Sequence, residues 1–171
     1  MDLAENCYEG GYSMNHDKLM KMYDLYSENV YRLALSYTGC VADAEDIVHN
    51  VFLKVFEKHI DIDAGKEKSY LLTVTANMCR NHLRSARVKR SVSYEESEHE
   101  NVNASFDDEE ADLYEAMGIL PEKYRVVLYL HYYEGYTFRE IARLLHITSS
   151  AVSMRLHRGR EMLRAELKDY I

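Results

Sequence analysis

A chain of 171 residues with 47% hydrophobic residues has enough apolar side chain for one ordinary domain or two small ones. No run of about 18 apolar residues exists to span a bilayer, and the opening MDLAENCYEG has neither the basic patch nor the apolar core of a secretory signal, so a cytoplasmic protein without membrane insertion is expected. Cys7, Cys40 and Cys79 are odd in number and far apart, which suits reduced thiols rather than a disulfide framework.

The formal net charge of -8 conceals a segregation that matters more than the sum. From Ser91 to Glu115 there are ten acidic residues and no Lys or Arg, and removing those ten charges leaves the rest at +2. Lys66 to Arg90 holds seven Lys or Arg against one acid, and Arg139 to Arg164 holds six Arg against two acids. Two basic lobes therefore flank an acidic segment, and one proline with seven glycines makes long helices the expectation.

In chain order, a tail over 1–15 precedes a first domain over 16–90. Leu19, Met22, Tyr23, Tyr26, Val30, Leu33, Ala34 and Tyr37 keep three- and four-residue spacing, which predicts one apolar stripe on a long helix stopping near Gly39. A second helix is expected from about Asp43, with Asp43 as its cap, Glu45 and Asp46 near the positive end of its dipole, and Ile47, Val48, Val51, Phe52, Val55 and Phe56 as its stripe. HIDIDAGKEK breaks the period and reads as a loop.

A third helix then turns Tyr70, Leu71, Val74, Met78 and Cys79 inward. Cys79 and His82 have a ligand-like spacing, but no second pair accompanies them, so a structural role is expected and no metal. The polar face presents Asn77, Arg80, Asn81, Arg84 and Arg87. A solvated face is the ordinary account of such a pattern, yet asparagines alternating with arginines also suit contacts to bases and phosphates. The acidic segment, 91–112 as a linker, has few large apolar residues and no amphipathic period before Leu113; it is expected to be a mobile tether.

The second domain, 113–171, opens a helix at Pro121, with Val126 to Leu130 as its apolar face and Gly135 at its end. Thr137 followed by Glu140 is a capping box for the next short helix. The chain then turns between Leu145 and Thr148, and Thr148 or Ser149 can cap a last helix to about Lys168, so the pair forms a helix-turn-helix. With Val152 at 0° and about 100° per residue, Leu156, Gly159 and Leu163 fall within about 40° of it and form the buried stripe. Ser150, Ser153, Met154, His157 and Arg158 lie on the opposite face, where a recognition helix meets base edges, while Arg155, Arg160 and Arg164 sit at the margins for phosphates. An amphipathic helix with a charged rim is the plainer account. Tight turn, cap, buried stripe and basic rim coincide here, which favours DNA binding.

Three segments, DAEDIVHNVFLKVFEK, SYLLTVTANMCRNHLR and LPEKYRVVLYLHYYEGYTFREIARLLHITSSAVSMRLHRGREMLR, stand in an order that resembles the extracytoplasmic-function (ECF) group of the bacterial sigma-70 family. The resemblance runs from about Leu19 to Leu167 and implies an all-α protein. Its two small helical domains would be a region 2-like bundle and a region 4-like helix-turn-helix, joined by the acidic linker. It further implies a factor that binds core RNA polymerase through a coiled coil of the largest subunit, opens the minus-10 promoter element with its first domain, and reads the minus-35 element with its second. On this likeness Asp43, Asp46, His49 and Asn50 correspond to the polymerase-docking face. Tyr70, Asn77, Arg80, Asn81, Arg84 and Arg87 fall on the minus-10 surface, with His59 to Lys68 as the loop that takes an unstacked base. Ser149, Ser150, Ser153, Met154, Arg155, His157, Arg158 and Arg160 fall on the minus-35 surface, in agreement with the face reached from periodicity alone. An anti-sigma partner is suggested by the resemblance only.

The chain departs from the family pattern at several of these places. His49 and Asn50 stand where Gln-Glu is usual, Tyr70 where Trp is common, Ala76 where arginine is frequent, and Ser153 where Lys or Arg is frequent. Fewer charges at Ala76 and Ser153 predict weaker nonspecific binding. No glycine-rich phosphate loop, HExxH or nucleophile signature occurs, so neither an enzyme nor a cofactor is expected. Two other accounts stay open: a free-standing helix-turn-helix regulator that binds duplex DNA as a dimer, and an all-helical adaptor with a protein partner.

Overall fold

The computed structural model describes residues 16–58, 62–92 and 117–168, with side chains as far as residue 86 in the third helix and 165 in the last. The tail, the acidic segment through Ala116, the His59 to Asp61 part of the loop and the side chain of Arg87 lie outside the described residues. Among these residues the fold is all helical. α1 spans His16–Thr38, α2 Val41–Glu57, α3 Glu67–Val92, α4 Glu122–Leu128, α5 Phe138–Leu145 and α6 Ser149–Lys168, with a π-helical turn over Tyr129–Tyr133 between α4 and α5.

α1 is the central element, packed against α2, α3 and α4. Its stripe forms as the spacing predicts: Met22, Val30, Leu33, Ala34 and Tyr37 are buried, and Val30, Leu33 and Ala34 are wholly so. Tyr23 is the exception. It is 43% exposed and meets the edge of Phe52 at 4.9 Å between ring centroids. Gly39 stops the helix with φ +65, a conformation that costs glycine little, while its N–H donates to the Leu35 carbonyl at 2.9 Å.

α2 begins two residues earlier than expected, at Val41, with Cys40 at the N-cap and no side-chain cap hydrogen bond. Asp43 is therefore a first-turn residue, stabilised by the dipole rather than acting as the cap. Ile47, Val48, Val51, Phe52 and Val55 are buried, whereas Phe56 is 40% exposed. α3 buries more than a single stripe: Leu72, Thr75 and Ala76 join Leu71, Val74 and Cys79 in the interior. The reason is that α3 packs against α1, α2 and α5 together. The buried Thr75 hydroxyl donates to the Leu71 carbonyl at 2.7 Å, which removes the cost of an unpaired polar group.

In the second lobe every residue from Val126 to Leu130 is buried. α4 does not run straight to Gly135. Its last turn widens, with the Glu134 N–H donating to the Tyr129 carbonyl at 3.3 Å, and Tyr129 stacks on Tyr133 at 5.7 Å. α5 opens with the complete capping box. Glu140 N–H donates to Thr137 Oγ1, and Thr137 N–H donates to Glu140 Oε2 at 2.8 Å. Donation from the Thr137 hydroxyl at 2.7 Å, and then from the Thr137 N–H, holds the Glu140 carboxyl below its ordinary value. One continuous set of buried side chains passes through both lobes, from Met22 in α1 to Leu156 in α6.

Candidate nucleic-acid interface

The turn between α5 and α6 is built from three residues. His146 ends α5 in the left-handed region at φ 54, Ile147 follows with its N–H on the Ala142 carbonyl, and Thr148 Oγ1 accepts the Ala151 N–H at 3.1 Å to cap α6. α6 then packs on α4 and α5 through Val152 and Leu156, both essentially inaccessible, and Gly159. A Cβ on Gly159 would stand 3.0 Å from Leu128 Cδ1 and 3.3 Å from Tyr124 Cβ. Close approach of α4 is thus the reason for a glycine that would otherwise cost the helix about 1 kcal/mol.

The opposite face of α6 is open. Ser149, Ser150, Ser153, Met154, His157, Arg158 and Arg160 are all exposed, Met154 at 50%, and Arg155 is half-buried at the margin. His157 lies 3.3 Å from the Glu161 carboxylate one turn on. Arg158 reaches the Tyr124 hydroxyl and, with a smaller contribution from Lys123, holds that phenol below its ordinary value. An exposed α6 face with hydroxyls, a thioether, an imidazole and two guanidiniums at its N-terminal half offers donors for base edges and charge for phosphates.

α3 presents the second polar face. Asn81 and Arg84 are exposed, Asn77 and Arg80 are half-buried, and Tyr70 is half-buried with its phenol raised by that burial. Each nitrogen of the Arg80 guanidinium donates within the protein. Its Nη1 donates to the Leu145 carbonyl at 2.8 Å, its Nε to the Ala76 carbonyl at 3.2 Å, and its Nη2 to Asn77 Oδ1. Asn77, Arg80, Asn81 and Arg84 share one cleft with His146 of the helix-turn-helix. Four sequence-predicted residues of this face are therefore together, and the turn of the second lobe sits beside them.

The sequence-predicted docking residues are spread around α2. Asp46, His49 and Asn50 are exposed, and Asn50 Nδ2 donates to the Asp46 carbonyl at 2.7 Å. Asp43 is half-buried and lies 3.2 Å from His82 Nε2 on α3. His49 also lines a groove between α1 and α2 with Leu19, Tyr23, Val48, Phe52 and Phe56. Sequence reasoning passed over this groove. Its signal was present in Tyr23 and Phe56, apolar residues at the edges of their stripes that two packed helices leave uncovered.

Cys79 is buried against α1, and burial first, then Glu122, pushes its thiol far above the ordinary value, which makes it inert rather than reactive. Among the described residues no helix is long and apolar enough to cross a membrane.

Comparison with known proteins agrees with this geometry. Residues 22–88 match Sigma-70 region 2 and residues 110–163 match Sigma-70, region 4. The chain is 31% identical over 157 residues to the ECF RNA polymerase sigma factor SigL of Mycobacterium tuberculosis, covering 86% of this chain and 88% of that one. It is 26% identical to ECF RNA polymerase sigma factor SigW of Bacillus subtilis, with 91% of each covered. Among solved structures it shares its fold with the sigma factor RpoE in complex with the anti-sigma factor NepR from Bartonella quintana. That likeness has a TM-score of 0.70 at 19% identity, over 89% of this chain and 98% of that one. By its two matched regions and its relatives, the chain belongs to the sigma-70 family, in the ECF group of RNA polymerase sigma factors that direct transcription initiation to promoters.

Proposed function

We propose that this chain works by binding alone, in the cytoplasm, as the promoter-reading subunit of an RNA polymerase holoenzyme. α6 reads minus-35 duplex through Ser149, Ser150, Ser153, Met154, His157 and Arg158, with Arg155 and Arg160 on phosphates. α3 holds the opened minus-10 strand through Tyr70, Asn77, Arg80, Asn81, Arg84 and Arg87. Residues 16–90 and 113–171 are the two working units, with 91–112 as the linker, and Asp43, Asp46, His49 and Asn50 meet the coiled coil of the polymerase largest subunit. Strand opening needs no cofactor: capturing unstacked bases costs a few kcal/mol, which stacking and hydrogen bonds in pockets offset. An anti-sigma factor as a further partner is supported by a structural relative, the sigma factor RpoE in complex with the anti-sigma factor NepR.

The observation that supports this reading best is the coexistence of two separate polar faces, on α3 and on α6, in a chain whose relatives are polymerase subunits. A free-standing regulator would use only the second. The test is retention of host genomic fragments by the full chain with and without sigma-free core polymerase. Sequence-selective retention that requires polymerase is expected. Equal selectivity by the protein alone would favour the regulator instead.

A further inference from the structure

The cleft between α3 and the helix-turn-helix is lined by Asn77, Arg80, Asn81, Arg84 and His146, with no carboxylate among them. Its volume is about 410 Å³, within the roughly 300–1,000 Å³ typical of small-molecule sites. Asn77 Oδ1 and the Leu145 carbonyl both accept from Arg80, which leaves the Asn77 amide nitrogen as a donor. Among the described residues the side chains of Asn81, Arg84 and His146 make no hydrogen bond or ion pair. The acceptors of the cleft are thus engaged while its donors are free. From Asn77 to Arg84 those donors span roughly 10 Å of α3, at about 1.5 Å per residue.

His146 supplies a second, independent sign. It is the only non-glycine residue with positive φ among the described residues, at φ 54 in the left-handed region. Glycine ends a helix there at little cost, whereas a side chain is strained. Ending α5 therefore does not account for the histidine, which adds an imidazole from the second lobe to a cleft otherwise built from α3.

We infer that this cleft binds a small phosphate-bearing solute of the diphosphate class. Arg84 supplies the charge, the Asn77 and Asn81 amides donate to phosphate oxygens, and His146 completes the site from the second lobe. A guanidinium meets two phosphate oxygens at once, and two linked phosphoryl groups with a hydrogen bond at each end match the span along α3. A metal cation would find no anionic ligand here. The consequence for function rests on the sigma-factor reading: Asn77, Asn81 and Arg84 are also the residues proposed to hold the opened minus-10 strand, so solute and strand exclude one another. The solute is then a competitive brake on strand capture.

The test is calorimetric titration of the full chain with inorganic pyrophosphate, in the wild type, in Arg84→Ala and in His146→Gly. Saturable binding of one pyrophosphate per chain is expected, weakened about tenfold by either substitution, as for loss of one charged hydrogen-bond partner. His146→Gly relieves the backbone while removing the imidazole, so its melting temperature should hold or rise, and its loss of binding is then not a loss of fold. Fluorescence anisotropy with a mixed-sequence single DNA strand separates the two sources of phosphate. Pyrophosphate should displace the strand beyond the effect of sodium chloride at the same ionic strength, and less effectively from His146→Gly. No saturable binding at millimolar pyrophosphate, or binding that both folded variants retain in full, would overturn the site. So would a strand that weakens with His146→Gly and is indifferent to pyrophosphate, because the cleft would then take phosphate groups only from nucleic acid. Pyrophosphate that binds at the cleft yet leaves the strand in place would uphold the site and contradict the role of α3 in the sigma-factor reading, so the two failures are distinguishable.

Discussion

Single residues decide how closely the helices of this molecule approach. Gly159 is the sharpest case, because an added methyl would press on Leu128 and on the Cβ of Tyr124, which is fixed to the backbone and cannot yield. In an exposed helix Gly→Ala gains about 1 kcal/mol; here overpacking of about 1–3 kcal/mol opposes it. Gly159→Ala should therefore lower stability by about 1 kcal/mol in thermal unfolding, and a raised melting temperature would show that α4 and α6 have slack. The sequence marked this glycine as unusual without revealing the neighbour, since the contact joins residues some thirty positions apart. Arg80 shows the same limit. Its place on the polar face of α3 was legible from spacing, but its bond to Leu145 depends on how the lobes meet.

Elements were legible where a local signal sets them. The α1 stripe, the Gly39 stop, the Thr137–Glu140 box and the α6 stripe all follow from neighbours within one or two turns. The start of α2 was misplaced because aspartate is a good cap in general, whereas here the chain leaves Gly39 directly into helix and Cys40 takes the position. The π-helical turn was not legible, because YLHYY fits an ordinary helix equally well. Burial of Leu72, Thr75 and Ala76 was missed because a period predicts one buried stripe, not three neighbours around one helix. Between the two candidate residues for the α6 cap, Thr148 is the one used, so Thr148→Ala should cost about 1 kcal/mol in chemical denaturation and Thr148→Asp should restore it. Equal stability of all three proteins would mean that packing of Val152 and Leu156 alone holds the turn.

The whole molecule combines two lobes whose faces were readable separately and whose arrangement was not. Periodicity reports which side of a helix is buried, and charge patterning reports which side is basic. Neither reports that Asn29 meets Glu134, a pair 105 residues apart. The family resemblance supplied the expected order of the domains and the roles proposed for α2, α3 and α6. The groove beside His49 and the packing of the lobes emerged only from the fold.

The central claim, that this chain directs polymerase to promoters through α3 and α6 together, is tested most directly by run-off transcription. Purified protein, sigma-free bacterial core polymerase and host genomic fragments are incubated, and the transcripts are sequenced. Discrete start sites that share two spaced upstream elements, and that are lost with either Arg158→Ala or Asn77→Ala, are expected. Absence of specific transcripts, while the protein alone still binds duplex DNA, would contradict the account.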